Sequence, residues 1–330
     1  MRLKATISTI LAAVLAVGMT ACQSSPKKEN TTPDKPVNIA AMKGPTAMGL
    51  VKYTDDLEKN EDKSVHYEIK TMPEDVVNGL MKGELDLACV PSNLAATLYN
   101  KSEGKIQIAA INTLNALYLA SNNAEIKSLE DLKGKTIYAT GKGATPEATL
   151  STILEEADLE IGKDVNVEFK SEATEVAAVL TAEEGSIAFL PEPFLTTVTS
   201  KNENVKIIFT ARDLWKDVVD EDEEITTGVL AVRKAFAEEN EAWFKQFLND
   251  YKASAEWVKA NPDAAAELIG KQEIVPAPVA KKALPNIGIT FITGEAMEDL
   301  VEEYLEVLCD FNPKLVGGKV PEDDFYYGAD

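Results

Sequence analysis

Apolar and polar positions switch between two periods along this chain, and the first switch sets the pattern for the others. The stretch Val37–Tyr53, VNIAAMKGPTAMGLVKY, is a short apolar run, a break at Lys43-Gly44-Pro45-Thr46, and then a segment with helical spacing. That order predicts strand, tight loop, helix. Such a junction leaves unpaired N–H groups at the start of a helix beside the carboxyl end of a strand, where open α/β sheets bind ligands. The same plan recurs three times. Leu85–Val90 runs into Pro91-Ser92-Asn93 and a helix over Leu94–Tyr99, and Thr136–Thr140 runs into the loop Gly141–Glu147, which opens a helix. Ser186–Leu190 runs into Pro191-Glu192-Pro193 and a helix over Phe194–Thr199.

Between these units the pattern predicts strands over Ser64–Lys70, Ile106–Ile111, Val165–Phe169 and Val205–Phe209. It predicts a helix from Pro73 to Gly79 or Gly83, a short helix and turn over Lys127–Lys135, and a helix over Thr174–Leu180. The apolar segments after Asn112-Thr113-Leu114-Asn115 and at Thr227–Val232 read as two passages between lobes. From Arg233 the tail reads as mostly helical. Trp243, Phe244, Phe247, Leu248 and Tyr251 form one helical stripe; Met297, Leu300, Val301, Tyr304, Leu305 and Leu308 form another, and both read as core. Strands alternating with helices argue for an α/β fold with largely parallel sheets, and 330 residues exceed the usual single-domain size of about 100 to 200, so two lobes are expected.

Composition changes this picture at the N-terminus. Arg2 and Lys4, the apolar run Ile7–Val17 and then Gly18-Met19-Thr20-Ala21-Cys22 read as a targeting signal over residues 1–21. Residues 22–36, polar and containing proline, read as a flexible tether. Net charge is −22 for the whole chain. Removing Arg2 and Lys4 with the signal takes it to about −24, which argues against nucleic acid as a partner. The acidic run Asp220–Glu224 lacks the spacing of a calcium loop and reads as solvated. Cys89 and Cys309 sit in apolar neighbourhoods and read as buried thiols, with a disulfide between them left open. One histidine, His66, is too few for a two-histidine zinc site and serves no nucleophile elbow, so no metal and no cofactor are expected. The Gly134-Lys135-Thr136 triplet is no phosphate loop, because it precedes a strand and Leu129 stands where the first glycine belongs.

Several motifs together resemble a known family. They are Met19-Thr20-Ala21-Cys22, Ala41-Met42-Lys43-Gly44-Pro45-Thr46, Gly83–Ala88 ahead of Pro91-Ser92-Asn93, the Ser128–Thr136 turn, Leu190-Pro191-Glu192-Pro193, and Trp257 ahead of Asn261-Pro262. The set resembles the solute-binding lipoproteins of ABC importers, in the branch holding the nitrate, sulfonate and taurine receptors and the NMT1/THI5-like thiamine-precursor proteins. The resemblance implies lipidation of Cys22, anchoring on the extracytoplasmic face of the membrane, and a type II periplasmic-binding-protein fold. Lobe 1 would be 37–115 and 228–330, with lobe 2, 116–227, inserted between them. A small polar or anionic organic solute would sit in the cleft and pass to permease subunits.

The residues themselves point to the same cleft. Gly44, Pro45, Thr46, Ser92, Asn93, Thr113 and Asn115 would come from the first lobe, and Gly141, Lys142, Gly143, Thr145 and Glu192 from the second. Helix N-termini and hydroxyls suit a carboxylate, sulfonate or phosphate, which Lys142 would pair. Glu192 suits an amine or an aminated heterocycle instead, or caps its own helix. A non-enzymatic receptor is the leading expectation. A THI5-like enzyme on the same fold and a surface sensor lipoprotein are the alternatives.

Overall fold

The structure is a computed structural model describing Pro33 and residues 35–142, 145–218 and 224–329. The expected signal, Cys22, most of the tether, Gly143 and all but Glu224 of the acidic run lie outside the described residues.

The opening unit folds as read: β1 (Val37–Met42), a one-turn helix α1 (Pro45–Met48), then α2 (Val51–Lys59) and β2 (Val65–Lys70). Next come α3 (Pro73–Lys82), β3 (Leu87–Pro91), α4 (Ser92–Ser102) and β4 (Ile106–Leu114). Of the two stops offered for α3, Gly83 is the one used, in a left-handed cap at φ 72°. Ser92 and Asn93 lie in the first turn of α4 rather than in the expected loop.

After β4 the chain enters a second sheet through β5 (Leu117–Asn122), β6 (Thr136–Thr140), α5 (Thr145–Glu156) and β7 (Asn166–Lys170). It continues with α6 (Ala173–Ala182), β8 (Ile187–Pro191), α7 (Phe194–Thr199), β9 (Val205–Thr210) and α8 (Ala211–Val218). It returns to the first sheet through β10 (Gly228–Arg233), then α9 (Lys234–Glu239), α10 (Glu241–Ala260), α11 (Pro262–Lys271) and α12 (Ala277–Ala283). The last elements are β11 (Gly288–Ile292) and α13 (Glu295–Phe311).

The first sheet has the order β11-β4-β10-β3-β1-β2 and the second β7-β6-β8-β5-β9. Each contains a β-α-β-α-β run whose three strands pair in parallel, β2-β1-β3 in the first and β7-β6-β8 in the second. In each, the next strand is antiparallel and is the one delivered by a crossing from the other sheet, β10 and β5 respectively. The largely parallel expectation therefore holds for strand direction, with β5, β10 and β11 reversed. Central strands β3, β4 and β10 are covered on both faces, which is why they read as unbroken apolar runs, while edge strand β2 is half-exposed.

The tail is mostly helical as read, with one strand besides: β11 adds to the edge of the first sheet against β4. Its five residues lie between two helices, too short to interrupt a helical reading. Gly288 is required there, because a Cβ would stand 2.4 Å from the Leu114 carbonyl oxygen.

Helices cover both sheets. The α10 stripe, with Phe244, Phe247 and Tyr251, packs on one face of the first sheet. The α13 stripe, with Met297, Val301, Tyr304, Leu305 and Leu308, joins a core that runs from the first sheet into the second. Tyr304 packs edge-on against Trp215 of α8 at 5.8 Å and lies 3.2 Å from the Thr149 hydroxyl of α5. Thus α13, although it follows β11 in the chain, is shared by both sheets. The two expected thiols are free: Cys89 is buried in β3 and Cys309 half-buried in α13.

Candidate functional site

Four strand-to-helix junctions line one cavity of about 350 Å³. At the first, Gly44 takes φ 139° and Pro45 opens α1, turning the chain sharply off β1. Thr46 is buried there and its hydroxyl donates to the Met42 carbonyl oxygen at 3.0 Å. The second junction contributes Pro91 and Asn93, the third Thr145 and Pro146, and the fourth Pro191, Glu192, Pro193 and Phe194. Proline recurs because each chain segment must leave a strand and start a helix within two or three residues.

The two crossings complete the cavity lining through Thr113, Asn115, Ala116, Leu117 and Thr227. Asn115 and Ala116 both take left-handed backbone conformations, φ 61° and 73°, to carry the chain from β4 to β5 in two residues. The returning strand lies beside them: the Asn115 amide donates to the Ile225 carbonyl at 2.7 Å, and the Thr227 hydroxyl to the Thr113 carbonyl at 3.1 Å. The Ser92 hydroxyl donates to the Thr226 carbonyl at 2.5 Å. Gly228 starts β10 against this knot, where a Cβ would stand 2.6 Å from Asn112 Oδ1 and 2.7 Å from Thr46 Cγ2.

Glu192 is the buried carboxyl of the site, 1% exposed. Its Oε2 accepts from the Thr196 amide at 3.0 Å, and its Oε1 from the Thr196 hydroxyl at 2.9 Å. Glu192 thus caps its own helix, one of the two roles expected of it. A third bond comes from the other sheet's side: the Asn286 side-chain amide donates to Oε1 at 3.1 Å. Burial raises the Glu192 carboxyl above the usual range, and the bonds from Thr196 and Asn286 offset this only in part. Tyr118 of β5 donates its hydroxyl to the Asn286 carbonyl oxygen. Its own pKa is pushed up to about 12 by burial, then by the neighbouring Glu192 and Asp213.

Of the sequence-derived candidates, Gly44, Pro45, Thr46, Asn93, Thr113, Asn115, Thr145 and Glu192 line this cavity. Ser92 does not, being 1% exposed beneath it and bonded to the crossing strand. Gly141 and Lys142 do not either; Lys142 is exposed and sits over the Phe169 ring at 5.9 Å. Asn286 went unread because nothing in its local sequence marks it, and Tyr118 and Thr227 lie in strand-like runs. His66 is exposed on edge strand β2, away from the cavity. No group of three or more metal-ligating side chains occurs among the described residues.

The sequence model of the family described as ABC transporter, phosphonate, periplasmic substrate-binding protein matches residues 47–278. The chain belongs to this phosphonate-binding family. It is therefore a periplasmic substrate-binding component of an ABC importer, a class whose partners are a small-molecule solute and a membrane permease. No helix of the described residues is long and apolar enough to cross a membrane.

Solved structures share the periplasmic-binding-protein fold. An ABC transporter protein from Parabacteroides distasonis matches with a TM-score of 0.74 and 21% identity, over 89% of this chain and 99% of that one. The periplasmic aliphatic sulphonate binding protein SsuA from Escherichia coli matches at 0.72 and 18%, over 89% and 92%. The alkanesulfonate-binding protein SsuA from Xanthomonas axonopodis pv. citri, bound to MOPS, matches at 0.62 and 14%, over 90% and 98%. No curated protein matches the sequence.

Proposed function

We propose that this family member is a lipid-anchored solute receptor of the NMT1/THI5-like and sulfonate branch, capturing a small organic solute between two lobes and delivering it unchanged. The lobes are 37–115 with 228–330, and 116–227, and Cys22 carries the lipid. One observation carries the proposal: junctions from both sheets converge on a single cavity at the carboxyl ends of their parallel strands. A ligand there touches both sheets at once, so its binding energy favours the closed arrangement that a permease reads. Placement of His66 outside the cavity supports a receptor rather than a histidine-dependent enzyme.

The test is a thermal-shift screen of sulfonates, thiamine and riboflavin precursors and aromatic carboxylates, followed by recovery of the bound compound. A solute at 100 times its Kd adds about 2.7 kcal/mol of stability. An upshift with the compound recovered intact is expected. Conversion of the compound by the pure protein contradicts the proposal.

A further inference from the structure

Asn115 lines the cavity and is tied from behind to a set of charges that the cavity does not touch. Its side-chain Nδ2 donates to Glu224 Oε2 at 3.1 Å, and its backbone N–H donates to the carbonyl of the next residue, Ile225. Glu224 ends the acidic run whose sequence reads as solvated, yet its side chain is 13% exposed and meets two cations of α8. Arg212 Nε donates to its two oxygens at 3.0 and 2.7 Å, and Arg212 Nη2 donates to Oε1 as a second arm. Lys216 Nζ stands 3.4 Å from the same Oε1.

These contacts leave the Asn115 amide one orientation. Burial disfavours the ionised form of Glu224, but the bonds from Arg212 and Asn115 outweigh it and hold the carboxyl below its usual range. An ionised carboxylate only accepts, so the end of the Asn115 amide that meets it has to be Nδ2. The torsion that exchanges the two ends is otherwise close to two-fold. The opposite end, Oδ1, is buried with no hydrogen-bond partner among the described residues.

We infer, resting on the receptor reading above, that Glu224 is a positioning residue of the solute site: with Arg212 and Lys216 it fixes the Asn115 amide so that Oδ1 is the end left for a solute. Nδ2 keeps its second N–H, and Glu224 decides where the two ends point rather than how many bonds they can make. Glu224→Gln keeps the shape and inverts the logic. Arg212 and Lys216 only donate, so the introduced amide turns its oxygen to them and its nitrogen to Asn115. Asn115 then has to turn Oδ1 toward position 224 and Nδ2 toward the cavity.

The test uses the full mature chain as wild type, Glu224→Gln, Asn115→Gly and the double variant; glycine tolerates the left-handed backbone of Asn115, φ 61°. Without solute, heteronuclear NMR follows the side-chain amide protons that Asn115→Gly deletes. Exchange about tenfold faster in Glu224→Gln is expected, and an unchanged rate overturns the inference. With solute, calorimetry uses the tightest binder of methylphosphonate, ethanesulfonate, benzoate and thiamine. Binding about tenfold weaker is expected in Glu224→Gln, with no further loss when that change is added to Asn115→Gly. An equal loss in both backgrounds makes Glu224 a support of the fold alone and overturns the inference while the receptor reading stands. Unchanged affinity in Glu224→Gln does the same. Binding of none of the four by wild-type protein contradicts the receptor reading and the inference together.

Discussion

Asn286 donates its side-chain amide to Glu192 Oε1 at 3.1 Å, joining a turn that precedes β11 of the first sheet to a junction of the second. The same residue accepts the Tyr118 hydroxyl through its main-chain oxygen, so one turn grips the second sheet at two points. Lys282 of α12 adds a third contact by donating to the Ser200 hydroxyl at 3.2 Å. Of the groups in these bonds, Glu192 lines the cavity.

Removing this grip should loosen the two sheets. Asn286→Ala deletes one donor to a buried carboxyl, a cost of about 1–3 kcal/mol. The free protein should show a larger radius of gyration in X-ray scattering, and solute affinity should fall up to about tenfold. An unchanged scattering profile with unchanged affinity would show that Asn286 has no part in closure.

Protonation of Glu192 gives a pH signature. Its carboxyl titrates near 4.5 when unfolded and higher when folded. Between those two values the folded chain holds a proton that the unfolded chain releases, so this group's contribution is full below 4.5 and is lost as pH rises through the folded value. Glu192→Gln removes that dependence. Urea unfolding of both proteins at pH 4 and pH 7 should therefore show the stability difference moving in favour of the variant at the higher pH; a constant difference would refute it.

Gly228 packs directly against Thr46 and Thr113, which line the cavity. A methyl group at this position meets Asn112 Oδ1 and Thr46 Cγ2 well inside contact distance. Gly228→Ala should destabilise by about 1–3 kcal/mol and weaken solute binding through displaced Thr46. Urea midpoints and calorimetry check both effects. Wild-type values in this variant would mean that the crossing strand yields freely.

Cys89 should be inert. Burial pushes its thiol up to about 12, offset in part by the Tyr251 hydroxyl 3.5 Å away. In native protein at pH 8 an alkylating reagent should modify half-buried Cys309 well before Cys89, with Cys89 reacting only after denaturation. Peptide mass spectrometry reads the order, and rapid native labelling of Cys89 would contradict the buried placement.

Most strands and helices were legible because proline, glycine and unbroken apolar runs act locally. Pro45 fixes φ at a helix start, Gly83 accepts a left-handed cap, and Leu87–Val90 is apolar throughout because its strand is covered on both faces. The four junctions were legible for the same reason. What the sequence hid is contact across distance. Asn286 and Glu192 are 94 residues apart, and neither flank of Asn286 signals the pairing. Ser92 looked like a cleft hydroxyl, but its orientation is set by Thr226, 134 residues away. Lys142 looked like an anion partner, yet an exposed ammonium over the Phe169 ring keeps its hydration and gains a cation–π contact. β11 was missed because an edge strand is recognised by its partner β4 more than by its own five residues.

The most direct measurement is a crystal structure of the protein with the strongest compound from the thermal-shift panels. Electron density for the solute is expected between Thr46 and Asn115 on one side and Glu192 on the other, touching residues of both sheets. Solute density confined to one sheet, or to a surface groove that none of the four junctions lines, would contradict a cleft built from those junctions.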